Sequence, residues 1–207
     1  MKILELFSGS GIMSKTFREN GHTTTTIDNT YKADIKEDLT SFKPALYNDI
    51  LWASPPCKTF SVASIGRHWK GGSCAYIPKT KECEIGMKLL ENTISIVSKM
   101  KPRYWYIENP RGVMRKIIDK IFKKYGINNF IRHTVTYCQY GDNRMKPTDI
   151  WTNNKNWKPR PMCKNGSPCH IPAPRGSKTG TQGLKGSYER SMIPKELCKE
   201  IVRASEK

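Results

Sequence analysis

One cysteine in this chain stands where a nucleophile would be placed. The run Ala53-Ser54-Pro55-Pro56-Cys57-Lys58-Thr59-Phe60-Ser61 follows a short apolar approach, Ile50-Leu51-Trp52. Two prolines remove two backbone donors and stiffen the segment just ahead of the thiol. A reacting sulfur needs such stiffness, because a loosely held group spends little time in an attacking geometry. The same run also suits a proline-rich turn that carries a buried cysteine, and taken alone it fits both. Carboxylates recur at similar places. Thr23 to Ile27 is a β-branched run that ends at Asp28, Asp34-Ile35 follows in a loop, and Tyr104-Trp105-Tyr106-Ile107 ends in Glu108-Asn109-Pro110. An acid at the C-terminal tip of a strand lies on the edge where open parallel sheets bind ligands, and one at the second strand can accept from ribose hydroxyls. The plainer alternatives are caps or turns for the two aspartates and a strand-end salt bridge for Glu108. Cys163, Cys169 and His170 form a smaller constellation. It suits three ligands of a structural zinc, with the fourth from elsewhere such as Cys138, or reduced cysteines in a loop.

The elements that must position these groups alternate between strand and helix. Ile3, Leu4, Leu6 and Phe7 make a short buried-strand pattern, followed by Ser8-Gly9-Ser10-Gly11 and a helical segment through Ile12, Met13 and Phe17. Strand, glycine turn and helix bring backbone N–H groups close to a ligand, and a ligand approaches most closely where no Cβ intervenes. The spacing lacks the third glycine of the dinucleotide fingerprint. Residues 60–82 read as a mobile basic loop beside the thiol. Apolar residues at helical spacing predict a core-facing helix over Ile85 to Met100 and an amphipathic one through Met114, Ile117, Ile118, Ile121 and Phe122. Ile131 to Tyr140 reads as a strand, Ile150-Trp151-Thr152 as another, and Lys195 to about Arg203 as a helix opened by Ile193-Pro194. Residues 153–188, with five prolines and five glycines, show neither periodicity and read as a loop-rich insert.

Composition narrows the partner. The 207 residues carry 36 Lys plus Arg against 18 acids, a net charge of +18 that points to a polyanion, most often nucleic acid. Between Asp149 and Glu189 there is no acid, while Lys155, Lys158, Arg160, Lys164, Arg175, Lys178 and Lys185 lie there. A surface that tracks phosphates accounts for this better than solubility does. No stretch reaches the length needed to span a membrane. The opening residues run straight into a strand without a secretory signal, so the expected location is cytoplasmic, with reduced thiols.

In chain order these pieces resemble a cytosine-5 DNA methyltransferase that uses S-adenosylmethionine, and most of all the short versions carried by bacteriophages. Leu6-Phe7-Ser8-Gly9-Ser10-Gly11 resembles the cofactor loop, and Asp28 and Asp34-Ile35 match the ribose- and adenine-contacting positions. Pro55-Pro56-Cys57 with Phe60-Ser61 resembles the nucleophile loop, and Glu108-Asn109 the family's Glu-Asn pair. Arg190-Ser191-Met192-Ile193-Pro194 resembles the final motif, which returns to the cofactor pocket. The chain departs from the pattern at Pro110, where valine is usual, and in the later motif. That motif normally supplies a glutamine and two arginines, and here reads Tyr140-Gly141-Asp142-Asn143-Arg144-Met145-Lys146-Pro147-Thr148.

The resemblance implies an α/β fold, a Rossmann-like doubly wound sheet of the methyltransferase type with a small loop-rich insert near the C-terminus. Residues 1–151 would form the S-adenosylmethionine-binding core, 152–189 a minimal basic target-recognition segment, and 190–207 a C-terminal motif and helix returning to the core. It further implies catalytic roles for Cys57, Glu108, Asn109 and Arg144. Cofactor contacts would come from Phe7, Ser8, Gly9, Ser10, Gly11, Asp28, Asp34, Ile35, Pro55 and Ser191. Contacts to double-stranded DNA would come from Lys58, Ser61, Arg67, Lys146, Lys155, Lys158, Arg160, Arg175 and Lys178. Trp69, Tyr76 or Trp157 would be available to fill the stack vacated by an extruded base, if not used in the core. No membrane and no obligate protein partner are implied, and a phage-encoded enzyme would work in the host cytoplasm. The competing readings keep the chemistry but take RNA as substrate, or keep the fold and bind DNA without catalysis.

Overall fold

The computed structural model describes residues 1–44, 47–172, 184 and 186–207. The chain begins with β1 (Lys2–Leu6), α1 (Ile12–Glu19), β2 (Thr23–Ile27) and β3 (Ile50–Ala53). A short helix α2 (Ile65–His68) precedes a small hairpin in which β4 (Trp69–Lys70) and β5 (Ile77–Pro78) are joined through a second short helix, α3 (Gly72–Ala75). Then come α4 (Lys81–Met100), β6 (Tyr104–Pro110), α5 (Met114–Lys124), β7 (Ile131–Thr136) and β8 (Pro147–Thr152), and finally α6 (Ser187–Ser191) and α7 (Lys195–Ser205).

Six strands form one sheet in the order β2-β1-β3-β6-β8-β7. The four from β2 to β6 run parallel, and β8 is antiparallel to both its neighbours. Side chains alternate between the two faces, as the pleat demands. Ile3, Ile50, Trp52, Tyr106 and Ile150 pack with α1 and α7. Leu4, Leu6, Leu51, Ala53, Trp105, Ile107 and Trp151 pack with α4 and α5. Helices thus cover both faces, which makes the sheet doubly wound and explains why its central strands read as nearly continuous apolar runs. Among the described residues no helix is long and apolar enough to cross a membrane.

Three expectations are corrected. The strand expected over Ile131 to Tyr140 stops at Thr136, and Tyr137–Tyr140 form a 3-10 turn. There the Tyr137 N–H leaves the ladder and donates to the Met145 carbonyl at 2.8 Å, and Gly141 closes the turn at φ 86°. The helix expected from Ile85 starts at Lys81, because the Thr80 side chain caps it by accepting from the Cys83 N–H and two acids occupy its first turn. Residues 60–82 are a folded hairpin rather than a mobile loop. The Trp69 indole donates to the Thr59 carbonyl at 2.6 Å, and Phe60, Trp69 and Tyr76 contact one another in series. A Cβ at Gly112 would lie 2.2 Å from the Phe60 carbonyl oxygen, so glycine there lets β6 and the cysteine loop come together.

Glu5 is nearly sealed in β1 and accepts from the Ser14 N–H of α1 at 2.9 Å. Burial raises its pKa from 4.5 to about 7. The folded carboxyl therefore holds its proton more tightly than the unfolded one. Its contribution to stability is full below pH 4.5 and is lost as pH rises through about 7. Glu5→Gln keeps an acceptor for Ser14 and removes the charge. It is expected to stabilise the fold above neutrality by on the order of 3 kcal/mol. The gain over wild type should vanish in acid, which urea melts at two pH values would check.

Candidate active site

The C-terminal tips of β1, β2, β3 and β6 lie side by side, and the expected residues sit there. At the end of β1 the chain turns sharply, with Phe7 at φ 58°, Gly9 at φ 50° and Gly11 at φ 63°. Asp28, at the tip of β2, accepts from the Gly9 N–H at 3.0 Å through one oxygen and from the Thr30 and Tyr31 N–H groups through the other. It holds the glycine loop and the following turn in one frame. Asp34 is exposed, and its Oδ2 accepts from the Thr26 N–H and hydroxyl. Ile35 pairs with Ile27 and leaves its side chain 36% exposed.

These residues suit S-adenosylmethionine, the cofactor the resemblance implies. The Ser8 hydroxyl is buried without a partner beside the glycine turn, and Gly11 opens α1 with no side-chain cap. A loop free of Cβ atoms, an unpaired hydroxyl, an acid and an exposed isoleucine are what a ribose and a flat base would use. Tyr31 stands 5.5 Å from Tyr188 of α6, ring to ring, so the helix that leads into Met192-Ile193-Pro194 of the C-terminal motif lies at this edge. Ser191, in that motif, donates to the Tyr188 carbonyl and is exposed. Next to it lies a cleft of about 710 Å³, lined by Ile12, Gly141, Arg144, Met192 and Pro194 among others.

The cysteine loop follows β3, and its frame is fastened to β6. Asn109 is fully buried, and its Nδ2 donates to the Pro55 carbonyl at 2.8 Å. Cys57 itself reaches solvent. Surrounding protein and the Glu108 carboxylate push its thiol pKa up, while Lys146 and Arg190 pull it down. Glu108 is 5% exposed, and burial raises its pKa against the opposing pull of Lys146, Tyr137 and Ser54. The Tyr137 hydroxyl donates to Glu108 Oε1 at 3.0 Å. A buried carboxyl with a raised pKa next to a thiol can hold a proton for a ligand that lies between them.

Arg144 and Lys146 lie in different surroundings. Arg144, expected to be catalytic, is 7% exposed and bound to Asp142, with further donations to the carbonyls of Glu189 and Arg190. These contacts occupy its guanidinium and make it a clamp on the C-terminal motif. Lys146, expected to meet DNA phosphates, is half-buried and donates to the Arg190 carbonyl at 2.8 Å. Its Nζ stands 4.5 Å over the Tyr137 ring, and Glu108 and Cys57 both favour its charge. Burial lowers its pKa against that pull. An unusual φ of 30° at Lys146 turns the chain here.

The remaining expected contacts are scattered. Lys58, Lys155 and Lys158 are exposed, and Arg67 pairs loosely with Glu82 at 3.8 Å. Ser61 caps a short 3-10 turn. Arg160 is exposed, pairs with Glu200, donates to the Gln139 carbonyl at 2.8 Å and lies over the Tyr140 ring. Trp69 and Trp157 are buried in the core and so are not available for stacking, and Tyr76 packs against Trp69. Arg175 and Lys178 lie outside the described residues. Cys163, Cys169 and His170 do come together, with Cys138 as a fourth member. Reading the sequence missed Tyr137, Ser54 and Asp142, which act through side chains already counted; only Asp142, two residues before an arginine, left a local signal.

Comparison with known proteins agrees with this geometry. The family of C-5 cytosine-specific DNA methylases matches residues 1–132. A protein of Frog virus 3 (isolate Goorha), named a probable DNA (cytosine-5)-methyltransferase, is 30% identical over 98% of this chain and 99% of its own length. Among solved structures, the Entamoeba histolytica methyltransferase EhMeth superposes with a TM-score of 0.54 at 16% identity, over 79% of this chain and 57% of that one. The Schizosaccharomyces pombe Dnmt2 methyltransferase superposes with a TM-score of 0.53 at 16% identity, over 77% of this chain and 52% of that one. The chain thus spans little more than half the length of these two structures, whose likeness is one of fold.

Proposed function

Since the chain belongs to the C-5 cytosine-specific DNA methylase family, we propose that Cys57 and Glu108 are the pair that carries its chemistry. The protein is a DNA cytosine-5 methyltransferase that transfers a methyl group from S-adenosylmethionine to carbon 5 of cytosine. Carbon 5 is too weak a nucleophile to react unaided, and the family's route is covalent. In our reading the Cys57 thiolate adds to carbon 6 while Glu108 delivers a proton to ring nitrogen 3, so that electron density collects at carbon 5. S-adenosylmethionine, when bound, supplies the methyl group that carbon 5 takes. The nitrogen 3 proton returns to Glu108, water removes the carbon 5 proton, and the bond between Cys57 and carbon 6 breaks, its electron pair leaving with the sulfur as the carbon 5–carbon 6 double bond re-forms.

The observation that carries this reading is the tie between the two strand tips. Asn109 holds the Pro55 carbonyl, so the loop bearing Cys57 and the strand bearing Glu108 form one rigid frame. Lys146, with its charge facing both groups, lowers the cost of forming a thiolate beside a carboxyl. Tyr137 orients Glu108. Arg144 positions the C-terminal motif instead of touching the base. The substrate is double-stranded DNA with the target cytosine extruded, since its ring is out of reach inside the stack. Exposed Lys58, Lys155 and Lys158 serve the phosphates. We place the reaction inside the cell, where that DNA is.

Expression in a host lacking cytosine-5 methylation tests this. Sequencing at base resolution is expected to find 5-methylcytosine in DNA, at a short or relaxed site, because the small insert carries few base-reading side chains. Methyl groups found only in RNA, or nowhere, would overturn the proposal, and a site of six or more defined bases would contradict the part about recognition.

A further inference from the structure

The insert after β8 contains no regular element from 153 to 172, yet several of its residues are firmly placed. Asn154 is buried and donates to the Ala204 carbonyl, and Trp157 is sealed against α7 with its indole on Glu200. Beyond Trp157 the apolar anchors end. Cys163, Cys169 and His170 come next along the chain, folded back over Cys138 of the 3-10 turn.

The four ligand atoms all lie within 4.8 Å of one another. The Cys138 Sγ is 3.1 Å from that of Cys163 and 3.6 Å from that of Cys169. The His170 Nδ1 is 3.7 Å from the Cys163 sulfur and 3.6 Å from the Cys169 sulfur. Tetrahedral zinc with bonds of about 2.3 Å to sulfur and about 2.0 to 2.1 Å to nitrogen sets ligand atoms roughly 3.5 to 3.8 Å apart. Of the six separations among the four atoms, three fall near that spacing, the Cys138–Cys163 pair needs to open by about 0.6 Å, and the remaining two lie within 4.8 Å. A disulfide at about 2.05 Å would need the Cys138 and Cys163 sulfurs to close by a whole ångström.

The backbone is arranged to hold this shape. The Cys163 N–H donates to the Thr136 hydroxyl at 3.0 Å, and the Ile171 N–H donates to the Asn143 carbonyl at 2.9 Å. The cluster is therefore bracketed by bonds to residues on either side of the turn that carries Cys138.

We propose that Cys138, Cys163, Cys169 and His170 bind one zinc ion, and that this ion fastens the insert to the turn bearing Tyr137. Three thiolates and one imidazole fill the coordination sphere, which makes the site structural, with no open position for a reacting water. A segment this short and poor in apolar residues cannot hold itself by burial and needs such a staple. Because Cys138 adjoins Tyr137, the ion also steadies the hydroxyl that reaches Glu108. The site is independent of the methyl-transfer reading, since zinc content and methylation are measured separately.

Metal analysis of the full-length protein, purified under reducing conditions without chelator, is expected to find one zinc per chain. Replacing zinc with cobalt should give the visible bands of a tetrahedral site and a thiolate-to-metal charge-transfer band. Cys169→Ser and His170→Ala should each lower the zinc content, while Cys57→Ala should retain one zinc. If those variants fail to fold, the cobalt spectrum of the wild-type protein still decides. Zinc removal should open residues 158–171 to protease before the core. Three free thiols and an imidazole that take up neither added zinc nor cobalt would overturn the proposal, as would a Cys138–Cys163 disulfide in the mass spectrum of freshly isolated protein.

Discussion

Cys57→Ala is expected to lose methyl transfer by at least about 10⁴-fold while keeping its affinity for DNA. The size of the loss follows from what the thiol does. Without a covalent bond at carbon 6 there is no route by which density reaches carbon 5, and no neighbouring group can stand in. The fold should tolerate the change, because Cys57 is exposed and the loop is held by Asn109 on the Pro55 carbonyl rather than by the sulfur. A single-turnover assay with labelled methyl donor, next to a DNA-binding titration, checks both halves. Methyl transfer at the wild-type rate in this variant would rule out the covalent route.

Glu108→Gln is expected to slow methyl transfer by roughly 10²- to 10⁴-fold, the usual contribution of a positioned general acid. Glutamine can still accept from Tyr137, so the local structure should survive, but it has no acidic proton for nitrogen 3. A second readout separates this role from a structural one. The Glu108 charge pushes the Cys57 thiol pKa up. Its removal should therefore make Cys57 more acidic, and alkylation by iodoacetamide should speed up at neutral pH. A more reactive thiol in a slower enzyme is the signature of a lost proton donor. If alkylation and methyl transfer both slowed, Glu108 would be acting through the shape of the loop instead.

Much of the frame was legible because it is local. A strand ending in a glycine turn, a threonine-rich run ending in Asp28, and two prolines ahead of Cys57 each encode their conformation within a few residues. The apolar runs of β1, β3 and β6 are nearly continuous because helices cover both faces of the sheet, so the class of fold could be read from them as well. Helix ends were harder. Thr80 caps α4 several residues before the apolar period begins. The hairpin over residues 60–82 was missed because its composition is that of a loop, and only the indole of Trp69 docking on Thr59 reveals it.

By itself the sequence put Asp28, Cys57 and Glu108, with Asn109 beside the last, at the ends of strands, and the family resemblance pointed to Cys57 and Glu108 as the reacting groups. The tertiary structure alone decided which basic side chain faces them. Arg144 and Lys146 are two residues apart and similar in charge, and the one local difference is Asp142, which takes the Arg144 guanidinium. The backbone of residues 189–192 completes the choice: its carbonyls arrive from more than 40 residues away and accept from the rest of the Arg144 guanidinium. Cys138 likewise joins Cys163, Cys169 and His170 only because the insert folds back over the 3-10 turn. The difference is physical: turns and strand ends are set by the torsions of neighbouring residues, whereas the direction of a long charged side chain is set by whichever distant partner satisfies it.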